Sequence, residues 1–159
     1  MIFVITGTEA FPFNRFIEKI DSMKENKIIN EDIFIQLGSC SYIPKYCSWQ
    51  KWLSFASMRE NIASADLVIS HAGAGTTLLC LEMGKTPLLV TRRKEFGEHL
   101  DDHQVSFARI MEKLKYAVVA YRVTDLEHCI GKLRQISKNK FALIKDNSEL
   151  VSFLKTWLG

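Results

Sequence analysis

"VISHAGAGTTLLCLEMGK", Val68 to Lys85, is the stretch on which the fold turns. Its start belongs to "LVIS", a run with no polar face, as a strand covered on both sides of a sheet requires. "HAGAGTT" follows, with two glycines one residue apart, and then an apolar segment of helical length that closes at Gly84, a residue suited to the left-handed cap position. Strand, glycine turn and helix in that order make one βα step. The question is whether the rest of the chain repeats it.

It does, in both directions. "IFVIT" (Ile2 to Thr6) reads as a first strand, and the helix after it places Phe13, Phe16, Ile17, Ile20 and Met23 three or four residues apart. "DIFIQLG" is a second strand. Residues 39 to 54 mix aromatics, cysteines and a proline without a period, and read as a loop with a short strand near Trp52. "MRENIASAD" is a short helix leading into "LVIS". "TPLLVT" is a further buried strand, followed by a helix from Asp102 to Leu114, the strand "YAVVAY", and helices at Asp125 to Ser137 and Asn147 to Leu158. Alternation of this kind predicts an α/β protein, a doubly wound parallel sheet forming one domain over residues 1–159.

Composition agrees. A chain of 159 residues, 47% hydrophobic and 25% charged, buries one core and leaves no room for a second domain of similar size. The formal charge of +3 is spread without a dense basic run, so nucleic acid is not an expected partner, while an anionic ligand or membrane face would suit it. Cys40, Cys47, Cys80 and Cys129 show neither zinc-site pairing nor disulfide density, which predicts free thiols in the cytoplasm. The N-terminus has no basic leader, and its apolar run is too short for a signal peptide or a span. Any work at a membrane is expected to depend on something else bringing the protein there.

In open α/β sheets, ligands collect at the carboxyl ends of the strands, where loops meet helix N-termini. Gly73 and Gly75 leave the backbone approachable there, and Thr76 and Thr77 add hydroxyls at a helix start whose dipole favours an anion. A phosphate or diphosphate is the natural guest; simple helix capping is the competing reading. "GAGTTL" lacks the third glycine of the dinucleotide fingerprint, and Lys85 follows the helix where a Walker lysine would open it. A second constellation, "TRRKEFGEHLDDHQVSFA", follows the next strand on the same edge. Arg92, Arg93 and Lys94 offer charge to a diphosphate or an anionic sugar, and His103 and Gln104 offer donors and acceptors to sugar hydroxyls. Asp101 or Asp102 caps the helix.

With those residues in view, "ADLVISHAGAGTTLLCLEMGK" followed by "DDHQ" resembles the carboxyl-terminal, donor-binding half of family 28 glycosyltransferases, a Rossmann-like GT-B half-fold. The resemblance is close over Met58 to Leu114, and "VITGT" with "FPFNRFI" extends it to the first βα unit. It is nearest to the short stand-alone subunits, both the cytosolic subunit of the enzyme that adds the second N-acetylglucosamine to a dolichol-linked sugar and bacterial exopolysaccharide subunits. "RRKEFGEHLDDHQ" is more similar to the bacterial group. The resemblance implies a UDP-sugar donor, with Gly73, Ala74, Gly75 and Thr76 on the diphosphate, His103 and Gln104 on the sugar, Phe55 and Met58 near the uracil, and Thr6, Gly7 and Thr8 facing the cleft. Arg92 is assigned to the donor as well. Two-domain relatives place an acid for the ribose at the position of Leu79, and the nearest acid here is Glu82.

A GT-B enzyme works between two halves, and this chain supplies one. The resemblance therefore implies a membrane-anchored partner subunit that binds a lipid-linked saccharide acceptor, with the chain peripheral at the inner membrane face in exopolysaccharide or capsule assembly. Direct displacement needs a base at the acceptor hydroxyl and dipolar support for the departing UDP. His71 and His99, with Glu98, are weak candidates for the base. No DxD motif is present, so neither a catalytic metal nor a cofactor is expected. A non-catalytic nucleotide-sugar-binding enhancer and an epimerase-like fragment stand as the other readings. The last helix, with Leu150, Val151, Phe153, Leu154, Trp157 and Leu158 on one stripe, serves either the core or partner docking.

Overall fold

The apolar runs pair side by side in one direction. A computed structural model describes residues 1–138 and 148–158, and the side chains of 149, 151, 153, 157 and 158 lie outside that description. The strands are β1 (Ile2–Ile5), β2 (Ile33–Gln36), β3 (Ser48–Gln50), β4 (Leu67–His71), β5 (Leu88–Val90) and β6 (Val118–Ala120). All their pairings are parallel, in the order β3-β2-β1-β4-β5-β6. The helices between and after them are α1 (Asn14–Glu25), α2 (Phe55–Ser64), α3 (Ala74–Glu82), α4 (His103–Lys113), α5 (Leu126–Lys138) and α6 (Ser148–Leu158). The doubly wound α/β reading holds. The short strand expected near Trp52 lies a few residues earlier, at Ser48–Gln50.

Alternation along each strand divides the core between two layers. Ile2, Val4, Ile33, Ile35, Ile69, Leu88 and Val90 pack on one face against Phe16, Ile17 and Ile20 of α1 and Leu126, Ile130 and Leu133 of α5. Phe3, Ile5 and Val68 meet Ile62 of α2 and Leu79 and Cys80 of α3 on the other. Leu89 and Val119 continue that second face beneath Leu78 and Leu81 of α3, Phe107 and Met111 of α4, and Leu150 and Leu154 of α6. Those two residues of the last helix are therefore core. The remainder of its apolar stripe, Val151, Phe153, Trp157 and Leu158, lies outside the described side chains. Helix α6 also reaches Glu82 through Lys155, at 3.3 Å, so the acid nearest the Leu79 position is engaged by the C-terminal helix.

Strand order fixes where a ligand can sit. Chain direction reverses its path across the sheet between β1 and β4, and at such a switch point the loops leaving neighbouring strands part to opposite faces and leave a crevice. The N-termini of α2, α3 and α4 all follow strands, so they collect on that same carboxyl edge.

Candidate functional site: a glycine-walled crevice at the switch point

Strand β1 ends at Ile5 and leads into Thr6 and Gly7, and β4 ends in His71. Gly7 has φ +87, and a Cβ there would stand 2.6 Å from both Cε1 and Nε2 of His71. A Cβ on Gly73 would stand 2.2 Å from the same Nε2. The imidazole is thus a wedge between the two turns that flank the switch point, and both must be glycine for the wedge to fit. The Gly7 contact could not be read from spacing, because Gly7 and His71 are joined only by the pairing of β1 with β4.

His71 is buried. Its burial, with the nearby Arg92 charge adding to it, pulls the imidazole pKa down to about 3, against a smaller opposing hydrogen bond that the ring donates to the Ile5 backbone. At neutral pH the ring is uncharged and far too weak a base to take a proton from an acceptor hydroxyl. This corrects its place among the base candidates: His71 shapes the site. Because its folded pKa lies below the ordinary value of about 6.5, the unfolded chain takes the proton first, and stability is lost as pH falls through about 6.5 towards 3. The slope expected from this one group is about 1.4 kcal/mol per pH unit. Urea unfolding across pH 4 to 6.5 should show a shallower pH dependence in His71→Gln; equal slopes would show that the imidazole is not what titrates.

Gly73 is the N-cap of α3 and makes no side-chain cap bond, while the Thr77 hydroxyl donates back to the Gly73 carbonyl at 2.8 Å. The first amide groups of α3, at Ala74, Gly75 and Thr76, precede the helix's own hydrogen-bond ladder. Gly75 is exposed, and no atom would lie within 4 Å of a Cβ built on it. Across the crevice Thr8 is exposed on the loop after Gly7. Phe55, 70% exposed at the start of α2, lies on the same edge with Arg59 over its ring, and Met58 packs one turn below against the core. His103 opens α4, where the Asp101 carboxylate accepts its backbone N–H at 2.9 Å.

Two assignments change. Thr6 is fully buried and its hydroxyl donates to the Gln36 carbonyl, so its side chain faces the sheet and not a ligand. Arg92 is 1% exposed. Its guanidinium donates to the carbonyls of Thr6 and Phe11, each at 2.7 Å, and of Glu98 at 3.2 Å, and lies over the Phe13 ring at 4.9 Å. A charge so surrounded clamps the β1 turn to the loop after β5; it does not reach a diphosphate. Gln104 belongs to the same scaffold, its Oε1 accepting the Arg92 backbone N–H at 3.2 Å. Arg93 pairs with Glu95 and Asp102.

Glu98 and His99 are also tied down. The Glu98 carboxylate takes two bonds from Arg15 and one from the Arg93 backbone. His99 has Glu9 at 3.1 Å from one ring nitrogen and Asp101 at 3.3 Å from the other. Sequence reasoning passed over Gln36 and Arg15 altogether. Gln36 clasps Gly7 through both backbone groups, accepting its N–H at 2.9 Å and donating to its carbonyl at 3.1 Å. A polar residue closing the apolar run "DIFI" was the signal.

Comparison with known proteins fits this geometry. The sequence model of the glycosyltransferase family 28 C-terminal domain matches residues 1–156. The chain is 32% identical over 148 residues to the UDP-N-acetylglucosamine transferase subunit ALG13 of Homo sapiens, which covers 86% of this chain and 12% of that protein. To the subunit of the same name in Yarrowia lipolytica it is 25% identical over 165 residues, covering 94% of this chain and 79% of the relative. Among solved structures, Acinetobacter baumannii MurG superposes with a TM-score of 0.59 at 16% identity, over 96% of this chain and 49% of MurG. The glycotransferase of kitacinnamycin gives 0.60 at 13%, over 90% and 38%. These neighbours share the Rossmann-like half of the GT-B fold. From the first strand to the last helix, the chain belongs to the glycosyltransferase family 28 C-terminal domain.

Proposed function

We propose that the chain is the donor-binding subunit of a UDP-sugar glycosyltransferase, with the donor diphosphate over the start of α3. The observation that carries this is the meeting, at the switch point, of an uncapped helix N-terminus with a turn from β1 held glycine-bare by His71. Backbone N–H groups and a helix dipole suit a diphosphate, and they also suit a leaving UDP, whose charge grows as the sugar–phosphate bond breaks. In that reaction the acceptor oxygen bonds the anomeric carbon, the carbon–phosphate-oxygen bond breaks, and the acceptor proton goes to a base. His71 is too acidic for the task, and Glu98 and His99 are engaged, so the base is assigned to the partner subunit.

N-acetylglucosamine is the favoured sugar. The relatives' name supports it, and the burial of Arg92 and the pairing of Arg93 with two acids remove the argument for an anionic sugar such as glucuronate. The acceptor is a lipid-linked saccharide presented by a membrane-anchored partner at the inner face of the membrane, in polysaccharide assembly.

The test is Gly75→Ala with titration calorimetry of UDP and UDP-N-acetylglucosamine. A methyl group there meets no protein atom, and alanine in a helix gains up to about 1 kcal/mol over glycine. The variant should therefore melt no lower than the parent and yet bind UDP about tenfold more weakly, roughly 1.4 kcal/mol, because the methyl covers the amides that face the phosphates. Unchanged affinity would reduce the turn to a helix cap.

A further inference from the structure

From Ile33 to Arg59 the chain carries no aspartate or glutamate, while Lys45, Lys51 and Arg59 fall within it. The same segment holds Ile43, Tyr46, Trp49, Trp52 and Phe55, each between 40 and 70% exposed. These are half of the large exposed apolar side chains among the described residues, spread over the loop before β3, β3 itself, the loop after it and the start of α2. β3 is the terminal strand of the sheet, so the patch occupies one free edge of the molecule.

The exposure is built into the fold. Asp21, 1% exposed, accepts the Tyr42 hydroxyl and the backbone N–H groups of Lys45 and Tyr46, and the Asn14 side-chain oxygen accepts those of Ser41 and Tyr42. Tyr46 points its hydroxyl to Glu25 at 2.6 Å, which fixes the ring while leaving about half of it outside. Two acids at the base of the patch, Asp21 and Glu25, are thus engaged in hydrogen bonds, while the exposed Glu60 follows Arg59 on α2. No ion pair found among the described residues engages Lys45, Lys51 or Arg59. A ring fixed in the way of Tyr46 loses little freedom when something covers it.

We propose that this edge is a peripheral membrane-binding surface, seating Ile43, Tyr46, Trp49 and Trp52 at the headgroup level of an anionic bilayer with Lys45 and Lys51 against lipid phosphates, while Phe55 and Arg59 stay with the donor site. Charge complementarity selects this occupant. Interface cores between proteins are depleted in lysine, whereas tryptophan and tyrosine flanked by lysine and arginine are the side chains that sit at the boundary of lipid and water. No helix of the described residues is long and apolar enough to span a bilayer, so attachment here is to the surface. The chain then contributes its own hold on the membrane, which the sequence reading had left to a partner.

The experiment is sedimentation of the full chain with phosphatidylcholine vesicles, with and without phosphatidylglycerol, at low and high salt. Expected are binding to the anionic vesicles only, loss of binding at high salt, and a shift of tryptophan emission to shorter wavelength. Lys45→Gln with Lys51→Gln should weaken partitioning by about thirtyfold, and Ile43→Ser with Trp49→Ser should remove most of it, both pairs leaving UDP affinity and melting temperature near the parent's. No anionic binding, equal binding to neutral vesicles, or binding that both variant pairs retain would each overturn the proposal. So would variants that lose association with a partner protein while vesicle binding is unaltered. UDP affinity is read in the same samples, so failure here is separable from failure of the donor assignment.

Discussion

Arg92→Leu is expected to lower the unfolding free energy by about 3–5 kcal/mol. The guanidinium is the single donor group that reaches Thr6, Phe11 and Glu98 at once, two carbonyls of the loop after β1 and one of the loop after β5. Leucine is apolar and three heavy atoms smaller, so it leaves those oxygens inside the protein without their donor, and it gives up the contact of the cation with Phe13. Arg92→Lys should recover only part of the loss, because a point ammonium cannot span acceptors that a planar fork meets together. Urea titration with an unchanged slope measures this directly. A loss below about 1 kcal/mol would mean that water replaces the clamp. The effect should extend to binding, since the Thr6 carbonyl immediately precedes the Gly7 turn, and freeing it loosens one wall of the crevice.

Gly7→Ala is the second large effect, expected to cost about 2–4 kcal/mol. Two terms combine in it. A φ of +87 is strained for any residue with a Cβ, and that Cβ meets two atoms of the His71 ring at 2.6 Å. The ring has nowhere to retreat, because Gly73 closes on it from the other side. Gly84→Ala provides the comparison, with φ +70 and no neighbouring atom within 4 Å. It should show the backbone term alone, about 1–2 kcal/mol. If the two variants are equally destabilised, the wedge is softer than its geometry implies. UDP titration on the folded fraction should further separate them, with only Gly7→Ala losing affinity, because Gly84 closes α3 at its far end.

The fold was legible because its signals are local. Runs such as "LVIS" and "TPLLVT" have no polar face, and α1 repeats apolar residues at helical spacing, so neither element needed tertiary knowledge to be placed. The glycine turn was legible for the same reason. What stayed hidden depends on pairing across the sheet. Arg92 follows a strand end with two more basic residues, which reads as a charged rim; it is buried because the loops after β1 and β5 close around it, and that closure leaves no mark in linear spacing. The side chain of Thr6 turns inward for a similar reason, through the strand beside it. Gln36 announced itself only as a polar interruption, with nothing in sequence to say that Gly7 would lie against it. The exposed aromatics of residues 43 to 55 were visible as a segment without period. Their meaning came from the edge position of β3.

Strand order also bears on how the protein comes into being. β1, β2 and β3 form one sub-sheet from the first fifty residues, β4, β5 and β6 form another from later ones, and the seam between them is the pairing of Ile2 to Ile5 with Leu67 to Ser70. Contacts this distant along the chain are slow to close, so each sub-sheet can gather helices before the seam forms. The crevice straddles that seam. A newly made chain can thus be rich in secondary structure and still hold no ligand pocket, and competence to bind would report the final event of folding.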